Sequence, residues 1–168
     1  MAVAPDFNQP DLILSHLDGL VGSVTDDFIK SRYTGFVAVT AVTAYEVNIR
    51  TKLIDFCTTK HKVFGAFSEA IFEKTNARVK LDQLRDDFLV KFGEKYLKRF
   101  KKKLDALELA SLKAGTGSVK NSYQNLVQWR HDFVHDGKLP DYANYADARQ
   151  AYDTGKVVIS AFFESLNR

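Results

Sequence analysis

No proline stands between residues 11 and 139; the three in the chain are at positions 5, 10 and 140. Proline removes a backbone donor and breaks helices, so this long stretch is free to be helical throughout. Its apolar residues recur at steps of three, four and seven, the spacing of a helix face turned to a core. The spacing predicts a helix from Asp11 to about Ser31, with Leu12, Leu14, Leu17, Leu20, Val21, Val24 and Phe28 as its stripe. A short turn follows at Arg32-Tyr33-Thr34-Gly35. Residues 34 to about 60 form a helix apolar on most sides, which places it at the centre of the fold. A short helix spans 61–74, a connection 75–78, and a charged helix 81–112. Lys113-Ala-Gly-Thr-Gly117 is the clearest loop. Helices over 118–135 and 144–166 close the chain. The sum is an all-α, up-and-down bundle of five or six helices. A hydrophobic content of 45% over 168 residues fits one domain, 1–168, with residues 1–10 a loose arm.

Several classes are set aside by what the chain lacks. The start, Met-Ala-Val-Ala-Pro-Asp, has no basic region leading into an apolar stretch, so a signal peptide is not expected. No apolar run reaches the roughly 18 residues of a membrane span, so no membrane contact is expected. The single cysteine, Cys57, cannot form an internal disulfide and suits a reducing, cytoplasmic setting. It lies in an apolar helix, as a buried inert thiol would. The formal charge of +3 permits contact with a polyanion without demanding it. One run is single-signed: Lys91, Lys95, Lys98, Arg99, Lys101, Lys102 and Lys103, relieved only by Glu94. Such a run is most simply a solvated helix face. The second reading is a footprint for a phosphate backbone, carried by Lys95, Lys98, Arg99 and Lys102.

The densest chemistry is in Ser118-Val-Lys-Asn-Ser-Tyr-Gln-Asn-Leu-Val-Gln-Trp-Arg-His-Asp-Phe-Val-His-Asp-Gly-Lys-Leu-Pro140. Ser118 can cap the helix start, and Gly137 and Pro140 stop it. Just before the stop stand Arg130, His131, Asp132 and His135. Arg130, four residues, then His135 resembles the signature of ribonucleases in the HEPN superfamily (higher eukaryote and prokaryote nucleotide-binding domains). A polar residue after the Arg and a Gly shortly after the His, here His131 and Gly137, also suit it. Ala44-Tyr45-Glu46 is similar to the small-aromatic-Glu pattern of some bacterial HEPN families. The resemblance implies an all-α HEPN-like fold and a homodimer in which two motifs line one cleft. It also implies a toxin–antitoxin or phage-defence setting, with tRNA, mRNA or invader RNA as substrate and an antitoxin as a possible protein partner.

The residue types fit that implication. An RNA strand can be cut by its own 2′-hydroxyl, which needs no cofactor, metal or protein nucleophile. It needs a proton-transfer group and positive charge where the phosphorane forms. His suits the first and Arg the second. Arg130 would hold the scissile phosphate and His135 would act as general acid or base. His131, Asp132 and Glu46 would support them. Arg130 and His135 are five apart, about 140° round an ideal helix, so they converge only if the helix frays or two copies meet. The plainer readings are that Arg130 or His135 caps the helix end, that Asp132 pairs with a neighbouring base, and that Glu46 pairs with Arg50 four residues on. Trp129 is expected in the core or at a dimer interface. His131 and His135 also have metal-ligand spacing, but no further His-rich partner is evident. The alternative from another class is a non-catalytic helical module that binds a protein or a nucleotide.

Overall fold

The computed structural model describes residues 4–72 and 79–167, and among these all regular structure is helical. The α-helices are α1 (Asn8–Val21), α2 (Asp27–Thr58), α3 (Lys62–Phe72), α4 (Val90–Phe92), α5 (Glu94–Lys113), α6 (Val119–Asp136) and α7 (Tyr145–Leu166). A π-helical segment, Gln83–Leu89, runs directly into α4. The expected connection at 75–78 lies outside the described residues.

The count exceeds five or six because Gly93 interrupts the helix predicted over 81–112. Its φ of 122° is a conformation that glycine tolerates and other residues avoid. The first break also moves. Residues 32–35 are no turn; they lie inside α2, which begins at Asp27 with the Asp26 side chain accepting from the Ile29 N–H at 3.1 Å. That N-cap is the start signal, and the chain turns at 22–26 before it. Gly35 is there for closeness rather than for bending: a Cβ built on it would lie 2.2 Å from the Phe133 ring. The segment ahead of α1 is fastened as well. Asp6 and Asn48 exchange two hydrogen bonds, at 2.7 and 2.8 Å, and the Phe7 ring packs edge-on against Tyr45 and Tyr152.

α2 is the central element, buried along most of its length and packed by α1, α3, α6 and α7. Three tyrosines fill the middle. Tyr45 stacks on Tyr123 at 5.5 Å and on Tyr152 at 6.2 Å. Their hydroxyls donate to the Tyr152 carbonyl, the Val79 carbonyl and Asp11 respectively, so none of these hydroxyls is left without an acceptor. Burial pushes the phenols of Tyr45 and Tyr123 well above their ordinary pKa, with the Glu46 charge adding to the shift on Tyr123. Cys57 is buried, and burial pushes its thiol upward too.

These contacts set directions. Gly35 meets Phe133 and Tyr45 meets Tyr123, so α2 and α6 run antiparallel. Tyr45 meets Tyr152 and Lys52 meets Asn167, so α2 and α7 run the same way. Lys103 pairs with Glu164 and the Arg99 guanidinium donates to the Asn167 carbonyl at 2.8 Å. The basic half of α5 therefore stands at the end of the bundle opposite to the end of α6.

Gly155 within α7 and Gly22 just after α1 make a contrast. At Gly155 a Cβ would lie 2.1 Å from the Tyr45 hydroxyl, whereas at Gly22 nothing lies within 4 Å. Gly155→Ala should lower the unfolding free energy by about 1–3 kcal/mol in urea titrations, through overpacking and displacement of the Tyr45 bond. Gly22→Ala should be neutral or slightly stabilising.

Two carboxylates make stability acid-sensitive. Burial raises Asp11, but hydrogen bonds from Lys156 and Tyr152 outweigh it and hold the group below its ordinary value. Burial likewise raises Glu108, and the Ser118 hydroxyl and the Lys120 N–H outweigh it. Since both folded values lie below the unfolded ones, their contribution is complete above the usual carboxylate pKa near 4. It is lost as pH falls through the lowered folded values. Thermal scans from pH 6 downward should show the midpoint dropping below about pH 4, and dropping less in an Asp11→Asn, Glu108→Gln variant.

Candidate active site

The candidate site grows from the inner stripe of α6. Ser118 opens the helix by accepting from the Asn121 N–H at 3.0 Å. Val119, Tyr123, Leu126 and Val127 then face the core, all buried. Steps of four, three and four lead from Val119 through Tyr123 and Leu126 to Arg130. The stripe thus continues onto a charged residue. Arg130 is half-buried, and its Nε is buried with no hydrogen-bond partner.

Its neighbours are turned elsewhere. His131 and His135 are exposed, with ring centroids 4.5 Å apart and planes inclined by 45°. Asp132 accepts from the Gln128 amide at 2.6 Å, so it is engaged on its own helix by a neutral group. Trp129 is 4% exposed and lies 6.3 Å from Tyr142, ring to ring. The helix is regular through Asp136 and stops at Gly137, which is left-handed at φ 65°. Within one chain Arg130 and His135 therefore keep their separation of about 140° round the axis. The helix does not fray to bring them together.

One further residue enters here that sequence reasoning missed. Arg32 of α2 donates from Nη1 to the Gly137 carbonyl at 2.6 Å. Its guanidinium carbon lies 4.4 Å from the centre of the Phe28 ring and 5.5 Å from that of Phe133. The carbonyl at the exit of α6 is thus satisfied from α2, and neither Arg130 nor His135 caps it. The available signal was Phe28, Arg32 and Phe36 at steps of four, one face of a helix. Gly35 gives residues 32–35 the look of a turn, which masks that face.

The structure does not gather the remaining candidates at this point. Glu46 lines a small cavity with Ile49, Arg50, Val79 and Phe88, level with Tyr123. By the antiparallel register Arg130 is level with Ala38, about 12 Å along the axis from Glu46. Lys95, Lys98, Arg99 and Lys102 stand at the far end of the bundle. Arg99 is held by Asn167, and Lys98 pairs with Glu94 at 3.1 Å on the surface. Lys95 and Lys102 are exposed. Among the described residues no three of His, Cys, Asp and Glu cluster as metal ligands would, and no helix is long and apolar enough to cross a membrane.

The arrangement offers a half-buried guanidinium and two exposed imidazoles at one end of a helical bundle. No curated protein and no solved structure matches the chain. A family profile does: that of RiboL-PSP-HEPN, over residues 10–168. With nearly the whole chain matched and an all-helical fold around the Arg130–His135 segment, the protein belongs to the RiboL-PSP-HEPN family of the HEPN superfamily.

Proposed function

We propose that the protein is a metal-independent endoribonuclease that acts as a two-fold homodimer. The observation that carries this reading is Arg130. A cation with a buried, unpaired N–H occupies a core-stripe position beside exposed histidines. A buried donor without an acceptor costs about 1–3 kcal/mol, so its presence calls for an explanation. A phosphate reaching Arg130 supplies the missing acceptor and the missing counter-charge together.

In this reaction the 2′-oxygen attacks the adjacent phosphorus and the bond to the 5′-oxygen breaks. One group accepts the 2′-hydroxyl proton and another protonates the departing 5′-oxygen. The products carry a 2′,3′-cyclic phosphate and a 5′-hydroxyl. Arg130 meets the charge on the phosphorane, and His135 moves a proton. Since α6 keeps these two apart in one chain, a second copy completes the site: Arg130 of one copy faces His135 of the other. His131, its ring tilted against that of His135 at 4.5 Å, orients that imidazole. The setting that suits the family is a toxin–antitoxin or phage-defence effector in the cytoplasm, cutting tRNA or mRNA and restrained by an antitoxin.

A non-catalytic module binding a protein or nucleotide is the second reading. The observation in its favour is the exposed apolar surface beside the motif: Phe28 at 66%, Phe36 at 49% and Val134 at 51%. It requires Arg130 and His135 to be occupied as caps or ion-pair partners, and the cap at Gly137 is taken by Arg32.

Purified protein incubated with end-labelled RNA in EDTA should cleave it and leave cyclic-phosphate ends. Arg130→Ala should slow cleavage by about 10²–10³. His135→Ala should slow it by about 10²–10⁴. Both variants should keep the wild-type circular dichroism. Equal cleavage by all three would refute the site, and loss of activity in EDTA would refute the metal-independent chemistry.

A further inference from the structure

We propose that Arg32 is a second phosphate-binding residue, gripping the RNA strand at a phosphate next to the one held by Arg130. The proposal rests on the ribonuclease reading above and adds a residue, a ligand group and a direction for the strand.

Arg32 is placed as a receptor is placed. Its Nη1 is fixed on the Gly137 carbonyl at 2.6 Å, and Phe28 and Phe133 lie over it at 4.4 and 5.5 Å. Its Nε is buried with no hydrogen-bond partner. A guanidinium carries five N–H donors, so most of this one remains to be used. Three acids at this end are engaged elsewhere, while Asp136 and Asp141 are exposed and ion-paired to nothing among the described residues. Asp26 caps Ile29, Asp27 pairs with Lys30 at 3.4 Å, and Asp132 accepts from Gln128. Among the described residues no carboxylate forms an ion pair with Arg32. A half-buried cation without a counter-ion is costly, and an anion from outside relieves that cost.

The chemistry favours a phosphate, which takes two parallel N–H bonds from a planar fork. It favours a single strand because Phe36, one turn along α2, is half-exposed and edge-on to both Phe133 and Tyr33. An exposed ring beside an arginine is a stacking platform for an unpaired base. Gly137, where Arg32 is anchored, lies about 10 Å along α6 from Arg130. Two long side chains at that separation can hold neighbouring phosphates of one strand. The strand then runs along the seam of α2 and α6, away from the basic half of α5.

The test is to titrate ¹⁵N-arginine-labelled full chain with a short 2′-O-methyl oligouridylate, which binds but cannot be cut. The Nε–H resonances of Arg32 and Arg130 are assigned from Arg32→Lys and Arg130→Lys. Both should shift with oligonucleotide concentration. Arg32→Gln should lower the slope of log K against log salt by about 0.7–1, and Arg32→Lys should restore it. A shift at Arg130 alone, with an unchanged salt slope, would overturn the Arg32 assignment and leave the ribonuclease reading standing. No shift at either would remove both. A shift at Arg32 that follows protein concentration instead of oligonucleotide would make it a contact between copies and overturn the proposal. The wild-type spectra decide the matter even where Arg32→Gln fails to fold.

Discussion

The close approach of α2 and α6 is the constraint on which the candidate site depends. At one point the helices meet so closely that only a glycine, Gly35, fits opposite the Phe133 ring. At another they meet through stacked Tyr45 and Tyr123. Two such points fix the register of α2 against α6. Everything near the end of α6 is then placed: Phe133 under Arg32, Gly137 within reach of its guanidinium, and Arg130 on the inner stripe.

The same constraint explains why the site sits where the core runs out. Between Tyr123 and Val127 the stripe is buried, and a charge there would be prohibitively costly. Near its end α6 approaches the surface, and a long side chain can keep its stem in the apolar seam while its head reaches toward water. Arg130 and Arg32 both stand in that transition zone. On the proposed reading that position shields them enough to hold a phosphate and leaves them open enough for one to arrive. His131 and His135, about 100° and 140° further round the axis, are exposed.

Much of the fold was legible because it depends on local rules. Freedom from proline, the apolar spacing, the cap at Ser118 and the stop at Gly137 depend only on neighbouring residues, and α6 and α7 fall close to their expected bounds. What was not legible depends on contacts distant in sequence. Gly35 looks like a turn residue until Phe133, far along the chain, is known to lie against it. Arg32 stands in the same apparent turn, and its contact with the Gly137 carbonyl is equally distant in sequence. Glu46 could be placed on α2 but not against α6, since only the register of two helices shows that it is level with Tyr123. The basic run on α5 was plain as composition; that it lies at the opposite end from Arg130 follows from Arg99 and Lys103 packing on the end of α7. The separation of Arg130 and His135 needed only helix geometry, and the regular course of α6 keeps it.

The central claim is that Arg130 and His135 act on one phosphate from two different chains. Mixing folded Arg130→Ala and His135→Ala proteins, after subunit exchange verified by native mass spectrometry, tests it most directly. Each mixed dimer carries one intact pair, so cleavage of end-labelled RNA should recover to as much as about a quarter of the wild-type rate. No recovery despite verified exchange, or full activity from a wild-type monomer, would contradict it.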